Sequence, residues 1–234
     1  PTVYSINNIL VNNSVQSGTG TTSACYRSST VLTTHRDSSG YNLYYVSSVG
    51  TQRNLMFDGT TRSQTLLQLK TYFRTHAFGL REQYSINESP TFLSTTYSSN
   101  NFLRVDSTIA SGIESGGRLQ PSTFSSNDFE RNTVRTGYPL GGQSNGGGKL
   151  PDIGAYEFDG LPNTAHAYST SNVTHPTMLA AARNRKNQQI LKMEVVTTGA
   201  YDLQSVTNFT LNANNTDNIA DVDSAMLYYT GNVN

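Results

Sequence analysis

Short runs of aromatic, β-branched and Asn residues recur along this chain between turns of Ser, Thr, Asn and Gly. Residues 3–13, 41–46, 54–57 and 101–106 are such runs, and Ser17-Gly-Thr-Gly20 and Asp37-Ser-Ser-Gly40 are such turns. This pattern predicts many short strands and leaves little apolar material per strand, so the fold must rest on backbone pairing over a thin core. Only 14% of residues are charged and 35% are hydrophobic, a composition that also suits disorder. Disordered chains are poor in aromatics, however, and this one carries 14 Tyr and 9 Phe. Those residues fit half-buried pleated surfaces. An ordered all-β chain follows, either a sandwich or an irregular parallel solenoid.

One stretch breaks the pattern. In residues 65–73, Leu66, Leu69, Tyr72 and Phe73 fall on one helical face, with Ser63 or Thr65 available as the N-cap. The expectation is an amphipathic helix that covers a β core or caps the end of a solenoid. Asn145-Gly-Gly-Gly148 is glycine-rich, but no Gly-Lys-Ser/Thr and no helix follow, so a phosphate loop is rejected. Residues 161–189 look like a linker, and alternation returns at 190–198, 206–212 and 225–229, spaced as strands of a small antiparallel sandwich.

Sixteen basic and sixteen acidic residues balance, and without a basic stripe nucleic acid is not expected as a partner. The densest cationic stretch, Arg183-Asn-Arg-Lys186, reads as a solvated connector. The lone Cys25 excludes an intrachain disulfide framework, and a small buried Cys is usually inert. No apolar run approaches bilayer length. The start at Pro1 and the stop just after Tyr229 read as cuts in a longer polypeptide.

Two segments carry a resemblance. Asp152-Ile-Gly-Ala-Tyr-Glu-Phe158 resembles the closing motif of right-handed parallel β-helices in secreted bacterial proteins of the pectate-lyase-like or choice-of-anchor type. Residues 6–12, 87–92, 101–105 and 128–135 are similar to coils that precede that motif, although Glu130-Arg131 stands where a turn glycine is usual. Residues 190–199, 209–212 and 217–231 resemble the β-sandwich that precedes sialidase-type BNR repeats in Bacteroidetes surface proteins. The resemblance implies β-helix coils over 1–160, a linker over 161–189 and the first part of a sandwich over 190–234. It also implies a large extracellular, cell-surface protein of the type IX secretion class, as in gliding adhesins. Its expected partners are other modules of the same polypeptide, polysaccharide, or the outer-membrane export and motility machinery.

The carboxylates open to chemistry are Asp37, Asp58, Asp128, Glu130, Asp152 and Glu157. Glycoside hydrolysis needs two carboxyl groups about 5–9.5 Å apart across a bond, and no such pair is legible. Asp152 is expected to accept backbone N–H bonds in a turn and Glu157 to pair locally. His35, His76, His166 and His175 lack metal-ligand spacing. Asp217, Asp221 and Asp223 place oxygen ligands at alternating positions, the pattern of a Ca²⁺ loop, but without the Gly and distal Glu of an EF-hand. No cofactor is expected, with Ca²⁺ at that run the one candidate. Asn172-Val-Thr174, Asp106-Ser-Thr108 and Asp223-Ser-Ala225 are short glycosylation-type motifs. The expectation is a non-catalytic adhesin or scaffold segment that contacts carbohydrate. Its rival is the tail of an extracellular polysaccharide lyase, glycoside hydrolase or sialidase whose active site lies elsewhere.

Overall fold

A computed structural model of the chain describes residues 3–16, 20–26, 36, 38–47, 53–76, 81–119, 127–130, 150–174, 189–199, 206–212 and 224–231. Strands dominate its regular structure. In chain order they are β1 (Ile9–Asn12), β2 (Thr22–Tyr26), β3 (Leu43–Val46), β4 (Arg53–Phe57) and β5 (Arg62–Ser63). The helix α1 (Leu66–His76) follows, and then β6 (Ala167–Thr174) and β7 (Lys192–Thr198). The chain divides into two units, residues 1–204 and 205–234.

The organising feature of the first unit is parallel pairing. β1 pairs with β3 from Ile9↔Leu43 to Asn12↔Val46, and β2 pairs with β4 from Thr22↔Arg53 to Tyr26↔Phe57. Isolated parallel bridges extend the first ladder at Ile6↔Gly40 and Leu43↔Ile86. Parallel neighbours require a crossover. The crossover from β1 to β3 contains β2, and the one from β3 to Ile86 contains β4, β5 and α1. Similar tripeptides therefore stack: Asn7-Asn8-Ile9, Tyr41-Asn42-Leu43 and Tyr84-Ser85-Ile86. Asn8 lies 34 residues from Asn42, whose Oδ1 accepts the Asn8 N–H at 2.9 Å. Asn42 lies 43 residues from Ser85, whose Oγ accepts the Asn42 N–H at 3.0 Å. Asn7 and Tyr41 share a left-handed backbone, at φ 56° and 60°, so the corner before each strand repeats.

A pleated strand sends alternate side chains to opposite faces, and in β3 both faces are buried, the habit of parallel sheets. Leu43 and Tyr45 join Ile9, Val11, Ile86, Val105, Ile113 and Ile153 in one cluster. Tyr44 joins Leu55, Met56, Leu66, Leu69, Tyr72 and Phe73 in the other, with Leu10, Ala24 and Cys25 against it.

The expected helix is present, and its apolar face is the expected one. Thr65 caps it in a capping box: the Gln68 N–H donates to Thr65 Oγ1 at 3.2 Å, and the Thr65 N–H donates to Gln68 Oε1 at 3.2 Å.

Three expectations are corrected. Residues 101–106 are not a strand; Phe102 and Val105 make isolated bridges to Ser94 and Phe92 among tight turns. The run 161–189 is not all connector, because β6 lies inside it and pairs antiparallel with β7 from Ala167↔Thr198 to Thr174↔Lys192. Its Ser and Thr residues suggested a linker, yet Tyr168, Thr170, Val173 and Thr174 within it are β-formers. In the second unit, residues 206–212 and 224–231 are not strands but exposed, irregular backbone. Among the described residues no helix is long and apolar enough to cross a membrane.

Candidate functional site

The Asp152–Phe158 segment ties distant parts of the first unit together, residue by residue. Asp152, 0% exposed, accepts the Ser115 N–H on Oδ1 at 2.8 Å and the Phe158 N–H on Oδ2 at 2.7 Å. The Ile153 N–H donates to Ile113 O at 3.0 Å, and the Ile153 side chain fills the cluster around Leu43. The Gly154 N–H reaches Asn7 O at 2.9 Å. Gly154 has φ +118°, and a Cβ there would lie 2.8 Å from Ile9 Cδ1, so both the backbone and the packing call for glycine. Ala155 O accepts the Phe129 N–H at 2.8 Å. The Tyr156 ring meets the Phe129 ring edge-on at 5.5 Å, and Arg104, ion-paired with Glu130, sits 4.9 Å over the Tyr156 ring. Glu157 Oε2 accepts the Asp152 N–H at 3.0 Å, and Phe158 packs against the core. Next to this segment, Asn7 and Arg118 exchange reciprocal bonds at 2.9 Å.

The cluster has an electrostatic cost. Burial first, then the neighbouring carboxylates of Glu114 and Glu157, push the Asp152 carboxyl up to about 8, against the bonds from Ser115 and Phe158. Glu114 is itself buried and accepts the Gly160 N–H at 3.0 Å and the Ser115 hydroxyl at 2.9 Å. Three acidic groups are thus held together by the backbone donors they bind. This is the structural role expected of Asp152 and Glu157; Glu114 was not singled out by its sequence context.

A second buried network centres on Glu82, in the turn before the Ile86 rung. The Asn42 amide donates to both of its oxygens at 3.2 and 3.0 Å, and the Ser85 hydroxyl donates at 2.6 Å. Burial and the Glu82 carboxylate push the Tyr44 hydroxyl well above the ordinary tyrosine range. Asp58, flagged as a carboxylate candidate, accepts the Thr60 and Thr61 N–H groups at 2.8 and 2.6 Å and the Tyr72 hydroxyl at 2.8 Å. It braces the turn before β5 against α1.

No protein family, curated protein or solved structure matches this chain.

Asp128 is buried, and Glu130 pairs with Arg104. Asp106 accepts the Thr108 N–H and hydroxyl at 3.0 and 2.7 Å, and these bonds lower its pKa and lock the Asp106–Thr108 motif in a local turn. Cys25 is half-buried and packs against the core around Leu55. His166 is half-buried next to β6. Asp37, His35, His175, Asp217, Asp221, Asp223 and the run 183–186 lie outside the described residues, as does the side chain of His76. Among the described residues no group of three or more His, Cys, Asp or Glu is set to hold a metal ion.

An open groove of about 450 Å³ lies between β5 and α1. It was not foreseen, because its lining comes from a two-residue strand and from the polar face of the helix.

Proposed function

We propose that the chain is a non-catalytic segment of a secreted cell-surface protein, an adhesin or scaffold whose surface contacts carbohydrate. On this reading the first unit is the closing end of a right-handed parallel β-helix. The stacked rungs at Asn8–Ile9, Asn42–Leu43 and Ser85–Ile86 support it, since each rung repeats a polar residue followed by an aliphatic one. Uninterrupted rung-on-rung pairing gives stiffness and reach without disulfides, which suits a stalk or a presenting surface.

The observation that carries the non-catalytic part is the use of the buried carboxylates. Asp152, Glu114, Glu82 and Asp58 each spend their oxygens on backbone or side-chain donors within the fold. A hydrolytic pair would need two carboxyls facing a sugar across a cleft. Carbohydrate contact is supported by exposed aromatic rings such as Tyr26, Tyr84 and Tyr97.

The test is a glycan array on the whole recombinant chain, run with an assay for new reducing ends or unsaturated uronate. Binding without product is the expected result. Product that tracks the purified chain, or no binding to any glycan, would overturn the proposal.

A further inference from the structure

We infer that Tyr41 and Tyr84 form an oxidative cross-linking site. A one-electron phenol oxidant, of the kind a haem peroxidase makes from hydrogen peroxide, joins the two rings as dityrosine. The new bond staples two stacked rungs of the first unit. It neither needs nor supplies the glycan reading above.

The rung-on-rung pairing sets the pair. Leu43 and Ile86 are parallel partners, so Tyr41 and Tyr84, each two residues earlier, occupy the same place on successive rungs. Backbone bonds fix that register on the strand side. The Tyr44 N–H donates to Ile86 O at 3.0 Å, and the Ile86 N–H donates to Asn42 O at 2.9 Å. The Asn42 N–H donates to Ser85 Oγ at 3.0 Å. On the turn side, the Glu82 N–H donates to Ser39 O at 3.0 Å. The two tyrosines are therefore flanked by inter-rung bonds before and after them in sequence. Their rings lie stacked, with centroids 4.8 Å apart and planes inclined by 18°. Both side chains leave equivalent ladder positions, which brings the carbons beside the two hydroxyls to the same end of the stack.

The chemistry balances. Each phenol gives up one electron and one proton, and the phenoxyl radical so formed carries part of its unpaired density on the carbons next to the oxygen. A carbon–carbon bond forms between two such carbons, and the hydrogen on each then moves to its own ring's oxygen. Two tyrosines and one hydrogen peroxide yield one dityrosine and two waters. Access is in place, because Tyr84 is 55% exposed and the half-buried Tyr41 lies against it. Other tyrosines lack one half of the arrangement. Tyr26 and Tyr156 meet Phe57 and Phe129, rings with no phenol to oxidise. Tyr97 is 86% exposed, but no tyrosine ring lies against it among the described residues. The staple also has a use in this fold. The chain between the two residues contains β3, β4, β5 and α1, and a single cysteine leaves no intrachain disulfide to close it. A bond across that loop of about 40 residues restricts the unfolded chain as a disulfide would.

Oxidation of the whole chain at about 10 µM tests this, with a haem peroxidase and limiting hydrogen peroxide. Contact within one chain is worth an effective concentration in the millimolar range, so the bond should form about a hundred-fold faster than bonds between chains. The monomer is recovered by gel filtration in denaturant, digested and mapped by mass spectrometry, with dityrosine fluorescence read alongside. The expected main cross-link joins the peptide holding Tyr41 to the one holding Tyr84, lighter by two hydrogens. Tyr41→Phe and Tyr84→Phe each keep a ring in the stack and remove its phenol. Each should cut the monomer's dityrosine about ten-fold or more, while Tyr97→Phe leaves it unchanged. The stapled monomer should unfold at least about 5 °C above the untreated chain. The peptide map is made on the parent chain, so it decides the matter even if a variant fails to fold. An oxidised monomer without the 41–84 link, or with equal dityrosine in both phenylalanine variants, would overturn the site. A stapled monomer with an unchanged unfolding midpoint would overturn its role in holding the rungs.

Discussion

Replacing Gly154 by Ala tests whether the Asp152–Phe158 segment closes the fold. Two costs can be worked from its surroundings. Ala at φ +118° occupies backbone space that L side chains rarely adopt, a strain of about 1–3 kcal/mol. The new Cβ also meets Ile9 Cδ1 at 2.8 Å. That methyl is the end of a flexible side chain, so it escapes by leaving its rotamer, at about 0.5–1.5 kcal/mol. The sum is about 1.5–4.5 kcal/mol, or roughly 3–18 °C in the midpoint for a unit of this size. Urea denaturation of Gly154→Ala, Ile9→Ala and the double variant separates the two parts. The double variant removes the clash but keeps the backbone strain, so its loss should be smaller than the sum of the single losses by about 0.5–1.5 kcal/mol. A Gly154→Ala chain within about 0.5 kcal/mol of the parent, or strict additivity, would refute the reasoning.

Other consequences are as direct. The Asp152 carboxyl, raised to about 8 from 3.8, holds a proton in the folded chain that the unfolded chain has already released. Stability should therefore fall as pH rises from about 4 to about 8 and level off above that. Asp152→Asn flattens this slope, but it offers a single acceptor to the Ser115 and Phe158 N–H groups. The variant should be the less stable protein at pH 5 and close to the parent at pH 9, as read by thermal unfolding across pH. Leu69→Ala, at a fully buried position of α1, should cost about 2–5 kcal/mol in chemical denaturation, whereas Leu67→Ala on the outer face should cost under about 1 kcal/mol. Asn42→Ala strips the amide from the buried Glu82 carboxylate and should cost about 2–4 kcal/mol; adding Glu82→Gln should recover part of that loss.

The sequence was legible wherever one residue type served one purpose. The spacing of Leu66, Leu69, Tyr72 and Phe73 gave α1, and the glycine and acidic residues of 152–158 marked a tight structural turn. The runs 41–46 and 54–57 overlap β3 and β4. Strands stabilised from outside themselves were less visible. β2, Thr22-Ser-Ala-Cys-Tyr26, has little alternation of its own and is fixed by its register on β4. β6 has the polar composition of a linker and exists as the partner of β7. The opposite error arose at 101–106, where strand-like residues are held instead by local bonds such as Phe102 N–H to Ser99 O and Arg104 N–H to Asn101 O. Glu82 and Glu114 were hidden because a carboxylate's burial depends on the donors that the fold brings to it. The Tyr41-Asn-Leu43 and Tyr84-Ser-Ile86 similarity was the available signal for the first of these. The groove at α1 had no signal, since it forms between elements whose outward faces look like ordinary solvent-exposed surface.

The buried acidic side chains of the first unit are bound up in its fold, and its proposed role is to engage glycan at the surface. One measurement addresses both halves: size-exclusion chromatography of a panel of neutral and acidic polysaccharides incubated with the purified chain, following protein and glycan together. Protein should co-elute with at least one polysaccharide, and the polysaccharide should keep its original size through prolonged incubation. Glycan shortened in proportion to added protein, or protein that never moves from its free position, would contradict it.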